Sequence, residues 1–274
     1  MRSKLFNIVF VIGTALIMST AYIASFFLPA KYISKWVYAW GHFGRWIVKT
    51  ILAGNIEIRG LEHLPTDQSY IIAAKHQSEL DVLVTISMFP DLTTAAMKAL
   101  EKTPFFGRLM KKIGLIVVDL SVPQNRTQQM IDGARKAFGQ NRPIVIYPEG
   151  TLMALGAKAR YRGGIWHIYN DLNVKVTPVA MSLGVIWPRR DKIKYAGKTG
   201  VYEFLPPIEP GLDKETFMAL LEETIETDTM RLIEETASGD TLAAAQDRYA
   251  RGVGNEDIPW QAAQDIERRN LTKS

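Results

Sequence analysis

The sequence predicts an α/β protein with a mostly parallel central sheet flanked by helices, preceded by an N-terminal pair of membrane-associated helices. Two observations carry that expectation. Residues 5–30 contain no charged side chain. From residue 55 onward, short β-rich runs bounded by Gly, Asn or Pro alternate with helical patterns, the order that covers a parallel sheet with helices.

At about 1.5 Å per residue, the uncharged stretch reaches across a hydrocarbon core of about 30 Å as a tilted helix. Arg2 and Lys4 precede it, and Lys31 and Lys35 follow it, so flanking charge does not fix its orientation. The stretch exceeds the apolar core of a signal peptide, and an anchor is expected. In residues 35–53, Trp36, Trp40, Phe43, Ile47 and Ile51 recur at spacings of three and four. Lys35, Tyr38, His42, Arg45 and Lys49 occupy the other face. That is an amphipathic helix, with tryptophans suited to the headgroup level or with an apolar face packed on the domain.

Strands are expected at 55–59, 69–74, 115–119, 143–147, 174–180 and 201–205. Helices are expected from residue 80 to 88 and at 105–113, 127–138 and 214–236. The chain divides into membrane-anchoring helices (1–53), an α/β domain (54–237) and a polar C-terminal extension (238–274) that reads as a loosely attached tail.

Composition removes several function classes. The chain has 274 residues, 47% of them apolar and 22% charged, which excludes wholesale disorder and a fibrous repeat. It has no cysteine, which excludes disulfides, zinc–thiolate sites and a cysteine nucleophile. Four histidines are few for a histidine-built metal cluster, and no metal site is expected. A net charge of +5 suits an anionic membrane surface or a phosphate-bearing substrate. No nucleic-acid motif accompanies it, and the uncharged start fits no nucleic-acid partner.

Two motifs carry chemistry. Lys75-His76-Gln77-Ser78-Glu79-Leu80-Asp81 lies between a predicted strand and a predicted helix. With His76 in the loop and Asp81 in the first helical turn, the carboxylate reaches back to the imidazole. That makes a general base with an orienting group and no protein nucleophile. The same residues also read as a capping box, with Ser78 as N-cap and Asp81 as the acid three positions on, and the two readings are compatible. The second motif is an apolar strand running into Tyr147-Pro148-Glu149-Gly150-Thr151. Glycine allows close backbone approach to a ligand, and a hydroxyl with free N–H groups suits a phosphate; a tight turn after a central strand is the alternative.

These motifs, about 70 residues apart behind an apolar N-terminus, resemble the 1-acylglycerol-3-phosphate acyltransferase family of bacterial type. The family's first block, N-H-x-S-x-x-D, corresponds to Lys75 through Asp81, with Lys75 where Asn is usual. Its second, G-x-I-x-I-D-R, corresponds to Gly114-Leu115-Ile116-Val117-Val118-Asp119-Leu120. Its third, F-P-E-G-T-R, corresponds to Tyr147-Pro148-Glu149-Gly150-Thr151-Leu152. Its fourth, a V-P-V strand, corresponds to Val176-Thr177-Pro178-Val179.

The resemblance implies transfer of an acyl chain from acyl-carrier protein or acyl-coenzyme A to the 2-hydroxyl of lysophosphatidate, giving phosphatidate, with no cofactor and no metal. It implies His76 as catalytic base, Asp81 as its orienter and Lys98 as oxyanion donor. Glu149, Gly150 and Thr151 would line the glycerol-phosphate end. It further implies membrane lipid and a lysophospholipid acceptor as partners, and an inner-membrane location with the site facing the cytoplasm.

Two departures fall on the phosphate end, where Leu120 and Leu152 replace arginines, and leucine supplies no bidentate pairing. Arg162 is the leading replacement, ahead of Arg126, Lys158 and Arg160. A different lysolipid acceptor and a lipid-binding pseudoenzyme are the competing readings. His42, His63 and His167, and Trp166, Trp187 and Trp260, read as packing or surface residues. Pro104, Phe105, Phe106 and Gly107 read equally as an acyl-chain groove or as core.

Overall fold

The computed structural model describes residues 1–66, 69–98, 101, 106–119, 125–252 and 254. Two long helices, α1 (Arg2–Ala24) and α2 (Ala30–Ile51), open the chain. They are followed by β1 (Asn55–Arg59), β2 (Ile71–Ala74), α3 (Glu79–Met88), β3 (Thr93–Met97), α4 (Phe106–Ile113) and β4 (Ile116–Val118). The second half adds α5 (Arg126–Phe138), β5 (Ile144–Ile146), α6 (Gly164–Leu172), β6 (Val176–Met181), β7 (Thr199–Phe204), α7 (Lys214–Thr236) and α8 (Gly239–Arg251).

The strands form one sheet in the order β1-β7-β6-β2-β5-β3-β4. Every pairing is parallel except β6 with β7. Strands β6, β2, β5, β3 and β4 therefore point the same way, and β7 and β1 run opposite. Ile71 of β2 lies opposite Ile144 of β5 and Val176 of β6, which puts β2 in the centre.

Side chains alternate across a strand, and both faces of β2 are fully buried. Ile71 and Ala73 pack with Ile131 of α5, Ile165 of α6 and Phe217 of α7. Ile72 and Ala74 pack with Ile47 of α2, Leu83 of α3 and Met230 of α7. This is the apolar-on-both-faces pattern of a parallel sheet covered by helices.

The N-terminal pair is docked, not free. Gly41 and Gly44 of α2 face α3 so closely that a Cβ on either would stand 2.7–2.8 Å from Leu83 or Ile86. Phe43 meets Gly13 of α1 in the same way, and the Trp40 indole donates to Thr14 Oγ1 at 2.9 Å. The face bearing Trp40, Phe43 and Ile47 thus packs on α1 and α3, and not at a headgroup level. The glycines let the backbones approach, so the apolar stripe is spent on protein contact. The exposed tryptophan of α2 is Trp46.

Helix α1 buries only Phe6 and Ala21. It exposes Leu5, Ile8, Val11, Ile12, Leu16 and Ile23, and Phe26 and Phe27 follow at its end. An 18-residue stretch of it averages a hydropathy of 1.9, which makes it the one helix among the described residues long and apolar enough to cross a membrane.

Two elements depart from expectation. Strand β3 lies in a segment expected to contain no strand, because Thr-Thr-Ala-Ala-Met has little of the branched or aromatic bulk that marks strands. The start of the C-terminal extension is not loose: α8 buries Ala245 completely, and Arg248 donates to the Leu155 carbonyl at 3.1 Å. Trp260, the remainder of that extension, Leu120, Pro104 and Phe105 lie outside the described residues.

Candidate active site

Strands β2, β5, β3 and β4 deliver their carboxyl ends to one edge of the sheet, the side on which open α/β sheets hold ligands. The first motif leaves β2 there. Ser78 caps α3, its hydroxyl accepting from the Leu80 N–H at 3.0 Å, and Asp81 closes the capping box. Oδ2 of Asp81 accepts from the backbone N–H groups of Gln77 at 2.6 Å and Ser78 at 2.8 Å. The same oxygen lies 3.1 Å from His76 Nδ1. One carboxylate therefore caps the helix and orients the imidazole, and both readings of the motif hold together.

An acceptor on Nδ1 fixes the proton there and leaves Nε2 with its lone pair. Among the described residues Nε2 has no hydrogen-bond partner. The His76 side chain retains 17% exposure while Asp81 has none. Burial raises the Asp81 pKa above its ordinary value, against the lowering effect of its bonds to His76, Ser78 and Gln77. The Tyr147 ring stacks on His76 at 4.1 Å and fixes the ring plane. The site is a reachable imidazole nitrogen backed by a buried carboxylate, which is the arrangement for taking a proton from a hydroxyl.

The second motif leaves β5 beside it. Gly150 adopts φ +66°, and a Cβ there would stand 2.6 Å from the Arg162 guanidinium. Glycine is thus required both for the turn and for Arg162 to lie over it. Arg162 is exposed, and its backbone N–H donates to the Pro148 carbonyl at 2.9 Å. Thr151 is half-buried, and Met153 N–H donates to the His76 carbonyl at 2.6 Å. The structure therefore brings His76, Asp81, Gly150, Thr151 and Arg162 into one region. Of the other cations considered for the phosphate end, Lys158 stacks over the Tyr249 ring at 3.7 Å, on α8.

One expected role is corrected. Glu149 does not line the glycerol-phosphate end. It is fully buried, with one oxygen 2.6 Å from Lys75 Nζ and the other accepting the His76 backbone N–H at 3.0 Å. Lys98 leaves a different strand from His76. The unexpected strand β3 puts it two strands from β2, beyond β5, and its ammonium pairs with Asp119 at the end of β4 at 2.8 Å.

Sequence reasoning missed Lys75, Glu226 and Tyr161 as a set. Lys75 is wholly buried and also bonds Glu226 Oε1 at 2.6 Å, which in turn accepts from the Tyr161 hydroxyl at 2.9 Å. The available signal was an acid on the apolar stripe of α7 and a lysine at the end of an otherwise apolar strand. Burial pushes Glu149 up to about 7, against the lowering effect of Lys75, with Glu226 adding to the rise.

A carboxyl raised on folding contributes stability that is present below its ordinary 4.5 and is lost as pH rises through about 7. The groups facing it are Lys75 just after β2, Glu226 from α7 and, as a neutral donor, the His76 backbone N–H. Thermal denaturation between pH 4.5 and 7 is expected to show Tm falling more steeply in wild type than in Glu149→Gln, whatever the variant's absolute Tm. Parallel pH profiles would refute the assignment.

Residues 55–182 match the family model described as Acyltransferase. A 1-acyl-sn-glycerol-3-phosphate acyltransferase of Pseudomonas aeruginosa is 27% identical over 158 residues, 58% of this chain and 61% of that protein. One from Helicobacter pylori is 28% identical over 113 residues, 40% of this chain and 47% of that protein. The human alpha form is 26% identical over 136 residues, 49% of this chain and 48% of that protein. The matched stretches thus span between about half and three-fifths of these relatives. The 1-acyl-sn-glycerophosphate acyltransferase PlsC of Thermotoga maritima shares the fold, with a TM-score of 0.67 over 84% of this chain and 97% of that chain at 18% identity.

Proposed function

We propose, from the premise that residues 55–182 carry an Acyltransferase-family domain, that this chain is a membrane-bound O-acyltransferase acting on lysophosphatidate. The observation that carries the reading is the His76–Asp81 pair at the carboxyl end of β2, with Nδ1 on the buried carboxylate and Nε2 reachable. The acceptor is supported by the curated relatives, each a 1-acyl-sn-glycerol-3-phosphate acyltransferase.

In this reading His76 Nε2 takes the proton of the acceptor's 2-hydroxyl as the oxygen attacks the thioester carbonyl of acyl-carrier protein or acyl-coenzyme A. The imidazolium is stabilised by Asp81. The tetrahedral intermediate collapses by breaking its carbon–sulfur bond, and the proton held on Nε2 passes to the leaving thiolate. The product is the 2-acyl ester, phosphatidate. The thioester supplies the activated acyl group, so the step calls for no metal and no further cofactor.

The acceptor is a membrane lipid, and α1 fits that source. Its first turns pack on the domain through Phe6 and Phe10 against Trp187, while its other face shows Leu5, Ile8, Ile12 and Leu16. A helix fixed in this way half-embeds the protein, with the site opening at the lipid surface. The proposed location is the inner membrane with the site on the cytoplasmic side, where carrier-protein and coenzyme A thioesters are the donors.

Arg162 is proposed to hold the acceptor phosphate in place of the arginine that Leu152 lacks. Arg162→Ala is expected to raise the KM for lysophosphatidate about tenfold or more and to change kcat little. Steady-state kinetics on purified protein in mixed micelles checks this. An unchanged KM removes Arg162 from the site, and a wild-type preference for a lysolipid without a phosphate monoester would favour a different acceptor.

A further inference from the structure

We propose that Lys75 and Glu226 form a buried positioning unit that holds the backbone of His76 through Glu149. The inference rests on the acyl-transfer reading given above, and it concerns residues that touch no substrate. Glu226 lies on α7, outside the stretch that matches the Acyltransferase model.

The geometry joins four segments. Lys75 directly follows the central strand β2, and its side chain has no exposure. Its ammonium meets three acceptors: Glu149 Oε1 at 2.6 Å, Glu226 Oε1 at 2.6 Å and the Ala157 carbonyl at 3.0 Å. Three N–H groups and three acceptors leave the ammonium saturated. Glu149 spends its other oxygen on the His76 N–H at 3.0 Å, and Met153 N–H holds the His76 carbonyl at 2.6 Å. The backbone of the base is thus clamped on both sides. One clamp runs through Glu149 to Lys75, and from Lys75 to Glu226 and the Tyr161 hydroxyl.

This matters for chemistry because the base works over a short distance. A misplacement of about 1 Å costs a rate on the order of 100-fold, even when its cause lies outside the reacting groups. The network could have been apolar if it served only to fill space, since buried ion pairs are often replaced by apolar residues without loss of stability. Here it ends on the N–H of His76.

The test separates position from stability. Lys75→Ala alone would leave two carboxylates facing each other and is expected to fold poorly. Glu226→Ala keeps Lys75 paired with Glu149 but removes its second tether. It is expected to lower kcat for lysophosphatidate acylation about 30-fold with KM within about threefold. Glu226→Gln is expected to restore most of that rate, because one amide oxygen can accept both the Lys75 and Tyr161 donors now sharing Oε1. The apolar pair Lys75→Met/Glu226→Leu is expected to remain folded by circular dichroism yet keep the low kcat.

Wild-type kcat in Glu226→Ala or in the folded double variant overturns the proposal, as does an equal loss in Glu226→Ala and Glu226→Gln. His76→Ala runs alongside. If it keeps wild-type turnover, or wild type acylates no lysolipid, the acyl-transfer reading fails instead. The His76 ring NMR signals then still report the unit, expected to shift in Glu226→Ala and to return in Glu226→Gln.

Discussion

Replacing His76 with alanine is expected to remove acyl transfer, with kcat falling about 1,000-fold or more while the fold persists. The loss is large because Nε2 is the proton acceptor for the attacking hydroxyl, and no cysteine exists elsewhere in the chain to offer a covalent route. Stability is spared for a local reason. Among the described residues the imidazole makes one hydrogen bond, to Asp81, and that carboxylate keeps its bonds to the Gln77 and Ser78 N–H groups when the ring is gone. The cap of α3 therefore survives. A kcat assay paired with a thermal melt checks both halves. Substantial activity in a folded His76→Ala protein would remove His76 as the base.

Asp81→Asn is expected to lower kcat about 100- to 10,000-fold with little change in KM. The asparagine oxygen can still accept from the backbone N–H groups of Gln77 and Ser78. That same oxygen faces His76 Nδ1, so the bond to the ring persists but the negative charge that stabilises the imidazolium formed at Nε2 is lost. Loss of the charged cap adds about 1 kcal/mol of destabilisation. The ring-nitrogen shifts of His76 would show the weakened Nδ1 bond directly. A wild-type rate would reduce Asp81 to a helix cap.

The parallel sheet was legible because β2 and β5 are short apolar runs between clear turn residues, and because both faces of each are buried. Strand β3 escaped for the converse reason: two threonines and two alanines pair between β5 and β4 with little side-chain bulk. Lys98 follows that strand, and β5 therefore lies between it and the end of β2.

The tryptophan-bearing face of α2 looked suited to lipid because periodicity cannot say what covers an apolar stripe. Gly41 and Gly44 were the clue that another helix does. In the site, the His76–Asp81 pair was legible because both residues belong to one loop-to-helix segment. The Lys75–Glu149–Glu226 cluster was not, since its members lie 74 and 151 residues from Lys75 and meet only through the sheet and α7. Glu149 was misplaced for a related reason. A motif shows which residues leave a strand end together, and not which of them turn inward.

The most direct measurement is acyl transfer by the purified full chain in lipid micelles, supplied with an acyl thioester and lysophosphatidate, with His76→Ala as the blank. The expected result is phosphatidate formed by wild type and not by the variant. Equal product in both, or no product from folded, membrane-bound wild type, would contradict the assignment of this site to acyl transfer.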